Sequence, residues 1–100
     1  MLNITKKVEG DTLSVTLDGR LDTKTAPQLQ NELEPLLDGI SKLVLDFEKV
    51  DYISSAGLRV LLTFQQDLAE QGKKMELCHV NEMIRDVFDV TGFLEILTIV

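Results

Sequence analysis

The stretch Val50-Asp51-Tyr52-Ile53-Ser54-Ser55-Ala56-Gly57-Leu58-Arg59 places two adjacent hydroxyls where an apolar segment gives way to a helical pattern. The first turn of a helix leaves backbone N–H groups without intrahelical acceptors, and a serine oxygen can cap one of them. The same N–H groups, at the positive end of the helix dipole, also stabilise a phosphate. Ser54 and Ser55 therefore read either as plain helix caps or as the acceptor of a phosphoryl group.

Catalysis by these serines fits the sequence poorly. Ser55-Ala56-Gly57 matches the second half of a nucleophile elbow, but Ile53 stands where the G-x-S-x-G turn needs glycine. The single histidine, His79, falls at the end of a predicted strand, where a solvent-facing or edge position is expected. Asp46, Glu48 and Asp51 lack a metal-ligand spacing, and no glycine-rich phosphate loop is present. Cys78, inside a predicted strand, reads as a buried apolar residue. The expectation is a protein that is not an enzyme, with no catalytic residues, no metal and no cofactor.

The elements that must position Ser54 and Ser55 follow from hydrophobic periodicity. Residues 3–8 and 12–17 read as two strands joined at Glu9-Gly10-Asp11, with Leu13, Val15 and Leu17 alternating against Ser14, Thr16 and Asp18. Gly19 is expected to close the second strand, and Thr25 to cap a helix over 26–37 whose last turn Pro35 kinks. Leu43, Val44, Leu45 and Phe47 predict a central strand over 42–47, buried on both faces. A helix over 55–71 follows, with Leu58, Leu61, Leu62, Gln65 and Leu68 on one face and Gly72 after it.

Val60 and Phe64 widen that apolar arc, so they read either as contacts to a neighbouring helix or as a docking surface. Residues 74–80 predict a fourth strand, Asn81 caps a third helix, Thr91-Gly92 ends it, and residues 93–100 predict a helical turn and a short strand. The order ββαβαβα predicts one α/β domain over residues 1–100. Its four- to five-stranded mixed sheet carries helices packed mainly on one side.

A 100-residue chain with 44% hydrophobic and 27% charged residues can bury a core of its own without staples. The lone cysteine, the lack of a signal-peptide pattern and the lack of a membrane-length apolar run predict a cytoplasmic protein. A net charge of −7 repels nucleic acid and anionic membranes, leaving proteins as the expected partners; the size and surface predict a monomer.

The segment around Ser55 resembles the phosphorylation loop of the anti-sigma factor antagonists, the stand-alone bacterial members of the STAS domain group. Their typical form is Asp-Ser-Ser/Thr-Gly-Leu-Gly after a strand. Gly57-Leu58 match the Gly-Leu pair and Ser55 falls on the phosphorylated serine; Ser54 replaces the acidic residue and Ala56 the second hydroxyl. Gly19-Arg20-Leu21-Asp22 with Thr25-Ala26-Pro27 is similar to the family's Gly-Glu-Leu/Ile-Asp and Ala-Pro blocks. Ile84 through Phe93 is similar to its third-helix segment.

The resemblance implies a partner-switching protein of bacterial transcription regulation. It implies binding to an anti-sigma factor that is itself a serine kinase, release when Ser55 is phosphorylated, and restoration by a serine phosphatase. It also implies that Asp22 lies near the loop and that Ser54, Ala56 and Gly57 contribute to the partner surface; Leu58, Val60 and Phe64, near the helix start, read either as apolar contacts to that partner or as core residues. Within the same group, the alternative is a structural subunit of a lipid-transport ATPase complex or a stress-sensing particle, with no phosphorylation switch.

Overall fold

The computed structural model describes residues 2–100. Strands β1 (Leu2–Glu9) and β2 (Thr12–Leu21) pair antiparallel around Gly10, whose φ of 62° is a left-handed turn conformation that glycine adopts without steric cost. Helix α1 (Ala26–Leu33) and a 3-10 segment (Glu34–Gly39) lead to strand β3 (Lys42–Ile53). Helix α2 (Ser55–Glu70), strand β4 (Lys74–Cys78) and helix α3 (Glu82–Thr91) follow. The sheet order is β1-β2-β3-β4, with β2, β3 and β4 parallel, so the expected mixed α/β sheet is present. After a 3-10 turn (Phe93–Glu95), Ile99 makes one parallel bridge to Leu77 in place of a full fifth strand.

One face of the sheet is apolar. Leu13, Val15 and Leu17 of β2, Leu43, Leu45 and Phe47 of β3, and Met75 and Leu77 of β4 are all buried. The helices cover them with Leu29 and Leu33, with Leu58, Leu61, Phe64 and Leu68, and with Ile84 and Phe88. Phe47 and Phe88 meet edge to face at 6.2 Å, locking α3 onto the sheet. The opposite face carries Ser14 and Thr16, Val44 and Asp46, and Glu76 and Cys78, and stays partly open to water.

Several sequence expectations change here. The strand β3 is not buried on both faces, since Val44 is only half-buried while Leu43 and Leu45 are fully enclosed. It also continues to Ile53, past the predicted end at Phe47. Two register shifts against β2, between Thr16 and Asp18 and between Gly19 and Arg20, insert extra β3 residues. Each acts as a bulge that resets the alternation, so Phe47, Val50 and Ile53 point inward at three-residue intervals. Gly19 does not close β2; it stays in the strand at a φ of 125°, beside the second shift.

Pro35 ends α1 rather than kinking it. The helix stops at Leu33, and Pro35 sits in the first turn of the 3-10 segment, where its missing N–H leaves no bond unmade. Thr25 occupies the N-cap position of α1 but makes no side-chain cap bond. The strand β4 stops at Cys78 because His79 turns to a φ of 57°. As expected, Asn81 Oδ1 caps α3 by accepting from Ile84 N at 2.9 Å, and Gly92 closes it at a φ of 82°.

Removing the aromatic lock tests the packing. Phe88→Ala is expected to lower unfolding stability by about 3–5 kcal/mol, because the enclosed ring leaves a cavity that fixed neighbours cannot fill. Urea titration followed by circular dichroism measures it.

Candidate functional site

The ends of β2 and β3 lie side by side, with Arg20 paired to Tyr52 and Leu21 to Ile53. Both chains then leave the sheet, one into the turn at Asp22 and the other into α2. Ser54 N donates to Leu21 O at 2.9 Å, tying the two exits together. Ser54 keeps extended backbone angles, and its Oγ accepts from Gly57 N at a long 3.5 Å. Ser54 is thus the cap of α2. Ser55 occupies the first helical residue, is exposed, and its hydroxyl makes no hydrogen bond among the described residues.

With Gly57 N turned to Ser54 Oγ, the amides of Ser55 and Ala56 are left without an acceptor among the described residues, so an anion on Ser55 would meet these two donors and the positive dipole end. Arg59, also exposed, lies one turn along the same helix, at the spacing at which opposite charges interact.

Gly57 is why the helix can start here. A Cβ on it would lie 2.8 Å from Leu21 Cγ, 2.9 Å from Ile53 Cγ1 and 2.9 Å from Leu21 O, closer than real contacts allow. The absent side chain lets the first turn of α2 press on the two strand ends.

Asp22 forms a closed turn of its own. Its Oδ1 accepts from Lys24 N at 2.9 Å and Thr25 N at 3.1 Å, and Oδ2 lies 3.7 Å from Arg20 Nε. The Thr25 hydroxyl accepts from Asp22 N at 2.9 Å and spends its one proton on Arg20 O at 2.7 Å, so its 3.3 Å approach to Asp22 Oδ1 is secondary. The amide of Thr25 holds the Asp22 carboxyl below the ordinary carboxylate range; partial burial opposes this, and Lys24 N, the Thr25 hydroxyl and Arg20 add to it. No hydrogen bond joins this carboxylate to Ser54 or Ser55 among the described residues; the backbone bond to Leu21 is what brings Asp22 close to the helix start.

The apolar residues expected at a partner surface are placed differently. Leu58, Val60 and Phe64 are 8%, 6% and 0% exposed, so they face the domain's own core and offer no docking area. Gly57 is buried as well, and Ala56 half-buried. The exposed neighbours of Ser55 are instead Asp51, Tyr52 and Arg59. Tyr52 carries the Arg20 guanidinium 4.1 Å above its ring centroid, a cation–π contact that fixes both side chains on the open face. Sequence reasoning missed Tyr52 and Arg20 as a pair because the bulges in β3 decide which residue faces which.

His79 is 61% exposed at its side chain, with Nδ1 3.1 Å from Asp46 Oδ1. Asp46 lies seven residues before Ile53 on β3, roughly 20 Å along the strand, which puts His79 out of reach of Ser55 as a base. Cys78, expected to be buried, is half-buried beside the same pair. Burial first, then Asp46, raises its thiol above the usual range; a backbone contact opposes them, and Glu76 and Glu48 add smaller upward contributions.

The STAS domain family profile matches residues 3–100. BtrV of Bordetella bronchiseptica, which carries the name of an anti-sigma factor antagonist, is 40% identical over 91 residues, covering 90% of this chain and 78% of that protein. The anti-sigma-B factor antagonist of Bacillus subtilis is 29% identical over 98 residues, covering 98% of this chain and 90% of that protein. The fold also matches the phosphorylated form of the Bacillus cell fate determinant SpoIIAA, with a TM-score of 0.76 at 18% identity over 100% of this chain and 91% of that one. The chain belongs to the STAS domain family, in the group of the anti-sigma factor antagonists.

Ser54→Ala is expected to lose about 0.5–1 kcal/mol of stability and Ser55→Ala less than about 0.5, because only Ser54 caps α2. Gly57→Ala is expected to cost about 1–3 kcal/mol through the forced contacts with Leu21 and Ile53. Thermal and urea denaturation of the three variants rank them. The lowered Asp22 carboxyl stabilises the fold above its ordinary value of 3.8, and that contribution disappears as the pH falls through the lowered one. Asp22→Asn should therefore flatten this acid limb while reducing stability near neutrality, read from stability against pH.

Proposed function

We propose that this chain is the bindable, phosphorylatable member of a partner-switching circuit. In its bare form it binds an anti-sigma factor that is also a serine kinase, freeing the sigma factor. Transfer of a phosphoryl group to Ser55 dissociates the complex, and a serine phosphatase returns the chain to its binding form. The chain itself performs no chemistry in this cycle.

The observation that carries the reading is the division of labour between the two serines. Ser54 has its oxygen turned to Gly57 N, whereas Ser55 is exposed and free at the same helix entrance. A phosphate on Ser55 brings about −1.5 to −2 charges. In the free domain it meets the first-turn amides and Arg59, so the modified state is well accommodated. A partner that covers the entrance strips the same charge of its water and brings no counter-charge of its own, a loss of about 2–5 kcal/mol. That equals roughly a 30-fold to several thousand-fold loss of affinity. The partner surface then consists of Ser55, Tyr52, Arg20, Arg59 and the Asp22 turn, with Ala56 at its edge, rather than of Leu58, Val60 and Phe64.

Ser55→Ala is expected to keep its affinity for the kinase and to resist phosphorylation, and Ser55→Asp to bind more weakly. Equal affinities for the two variants count against the switch. After incubation with the kinase and ATP, peptide mass spectrometry should locate the phosphate on Ser55; a phosphate on Ser54 assigns the wrong serine here.

A further inference from the structure

The residues Asp46, Cys78 and His79 come from two parallel strands and the turn after the second. Asp46 and Cys78 are register partners on the open face of β3 and β4, and His79 follows directly. One ligand atom from each, a carboxylate oxygen, a thiol sulfur and an imidazole nitrogen, lies within 4.8 Å of the other two. We infer that these three side chains form a binding site for a divalent transition-metal ion of the Zn2+ type, with the fourth position open to water.

The geometry is close to what such an ion needs. With metal–ligand distances of about 2.0–2.3 Å, a tetrahedral site has ligand atoms roughly 3.3–3.7 Å apart. The Asp46 and His79 atoms, at 3.1 Å, already stand near that edge length. The Cys78 sulfur lies within 4.8 Å of both, so rotation of side chains on the open face, without movement of the strands, closes the set. An ion entering replaces the Nδ1 to carboxylate hydrogen bond: the neutral imidazole shifts its proton from Nδ1 to Nε2 through solvent, which frees the Nδ1 lone pair, and the thiol proton leaves to solvent as the sulfur becomes a thiolate ligand.

Asp46 is also held from outside the trio. Glu48 N donates to Asp46 Oδ1 at 2.9 Å, the kind of supporting bond that orients a ligating carboxylate. His79 adopts a φ of 57°, the one positive φ on a non-glycine among the described residues, and in that turn its Nδ1 lies 3.1 Å from Asp46 Oδ1. The donor set mixes nitrogen, sulfur and oxygen, which selects a borderline-soft ion over Mg2+ or Ca2+. Glu48 adds negative charge near Cys78, favouring a dication there, while the charge of Glu76 is paired with Lys42.

The site is separate from the Ser55 entrance, so it extends the partner-switching reading without depending on it. The test uses the full chain under reducing conditions, titrated with Zn2+ against a chromophoric chelator and with Co2+ by absorption spectroscopy. The expected result is one equivalent bound, with a thiolate-to-cobalt charge-transfer band and the strong visible bands of tetrahedral Co2+. Cys78→Ala and His79→Gly, the latter chosen because glycine takes the positive φ freely, should each weaken binding more than the roughly 10- to 100-fold that loss of a supporting group costs. Asp46→Asn should also weaken it. Circular dichroism of each variant confirms the fold. A flat titration, a cobalt spectrum without the thiolate band, or affinities unchanged by the substitutions overturns the inference and leaves a plain hydrogen-bonded His–Asp pair.

Discussion

The site depends on one close approach, that of the first turn of α2 to the paired ends of β2 and β3. Only a residue without a Cβ fits at position 57, since Leu21 and Ile53 occupy the space a side chain would need. The Ser54 N to Leu21 O bond then joins the helix start to the other strand. Together these constraints aim the free amide ends of α2 outward at the carboxyl edge of the sheet, with Ser55 on the exposed side. Without that approach the serines would cap a helix of no consequence.

A second consequence of the same strand ends concerns the surface. The two bulges in β3 bring Val50 into the core and set Tyr52, in place of Val50, opposite Arg20. Strict alternation from Phe47 would have put Val50 on the wet face. The apolar arc of α2 is likewise used up by the domain itself, since Val60 and Phe64 complete the core. The surface around Ser55 is consequently polar and aromatic rather than apolar.

The open face of the sheet has a different character. Lys42 and Glu76 form an ion pair at 3.0 Å across β3 and β4, and further along the same strands Asp46 meets Cys78 and His79. The one-sided layering of helices leaves this face uncovered, so polar and metal-binding side chains are available there at little desolvation cost. The carboxyl ends of the parallel strands and the wet face thus present two chemically distinct surfaces on one small domain.

Local patterns in the sequence determined the element order, the mixed sheet with one helical layer, the Asn81 and Gly92 ends of α3 and the serine pair at a helix entrance. Those features depend on short-range periodicity and on backbone donors that neighbouring side chains must satisfy, so nearby residues suffice to reveal them. The tertiary structure alone decided which serine caps and which is free. It also decided that Val60 and Phe64 are interior, that Pro35 stops α1, and that Asp46 meets residues 78 and 79. Each of these depends on register, bulges and the contact of segments far apart in the chain, where the outcome is set by which atoms compete for the same volume and which strands lie side by side.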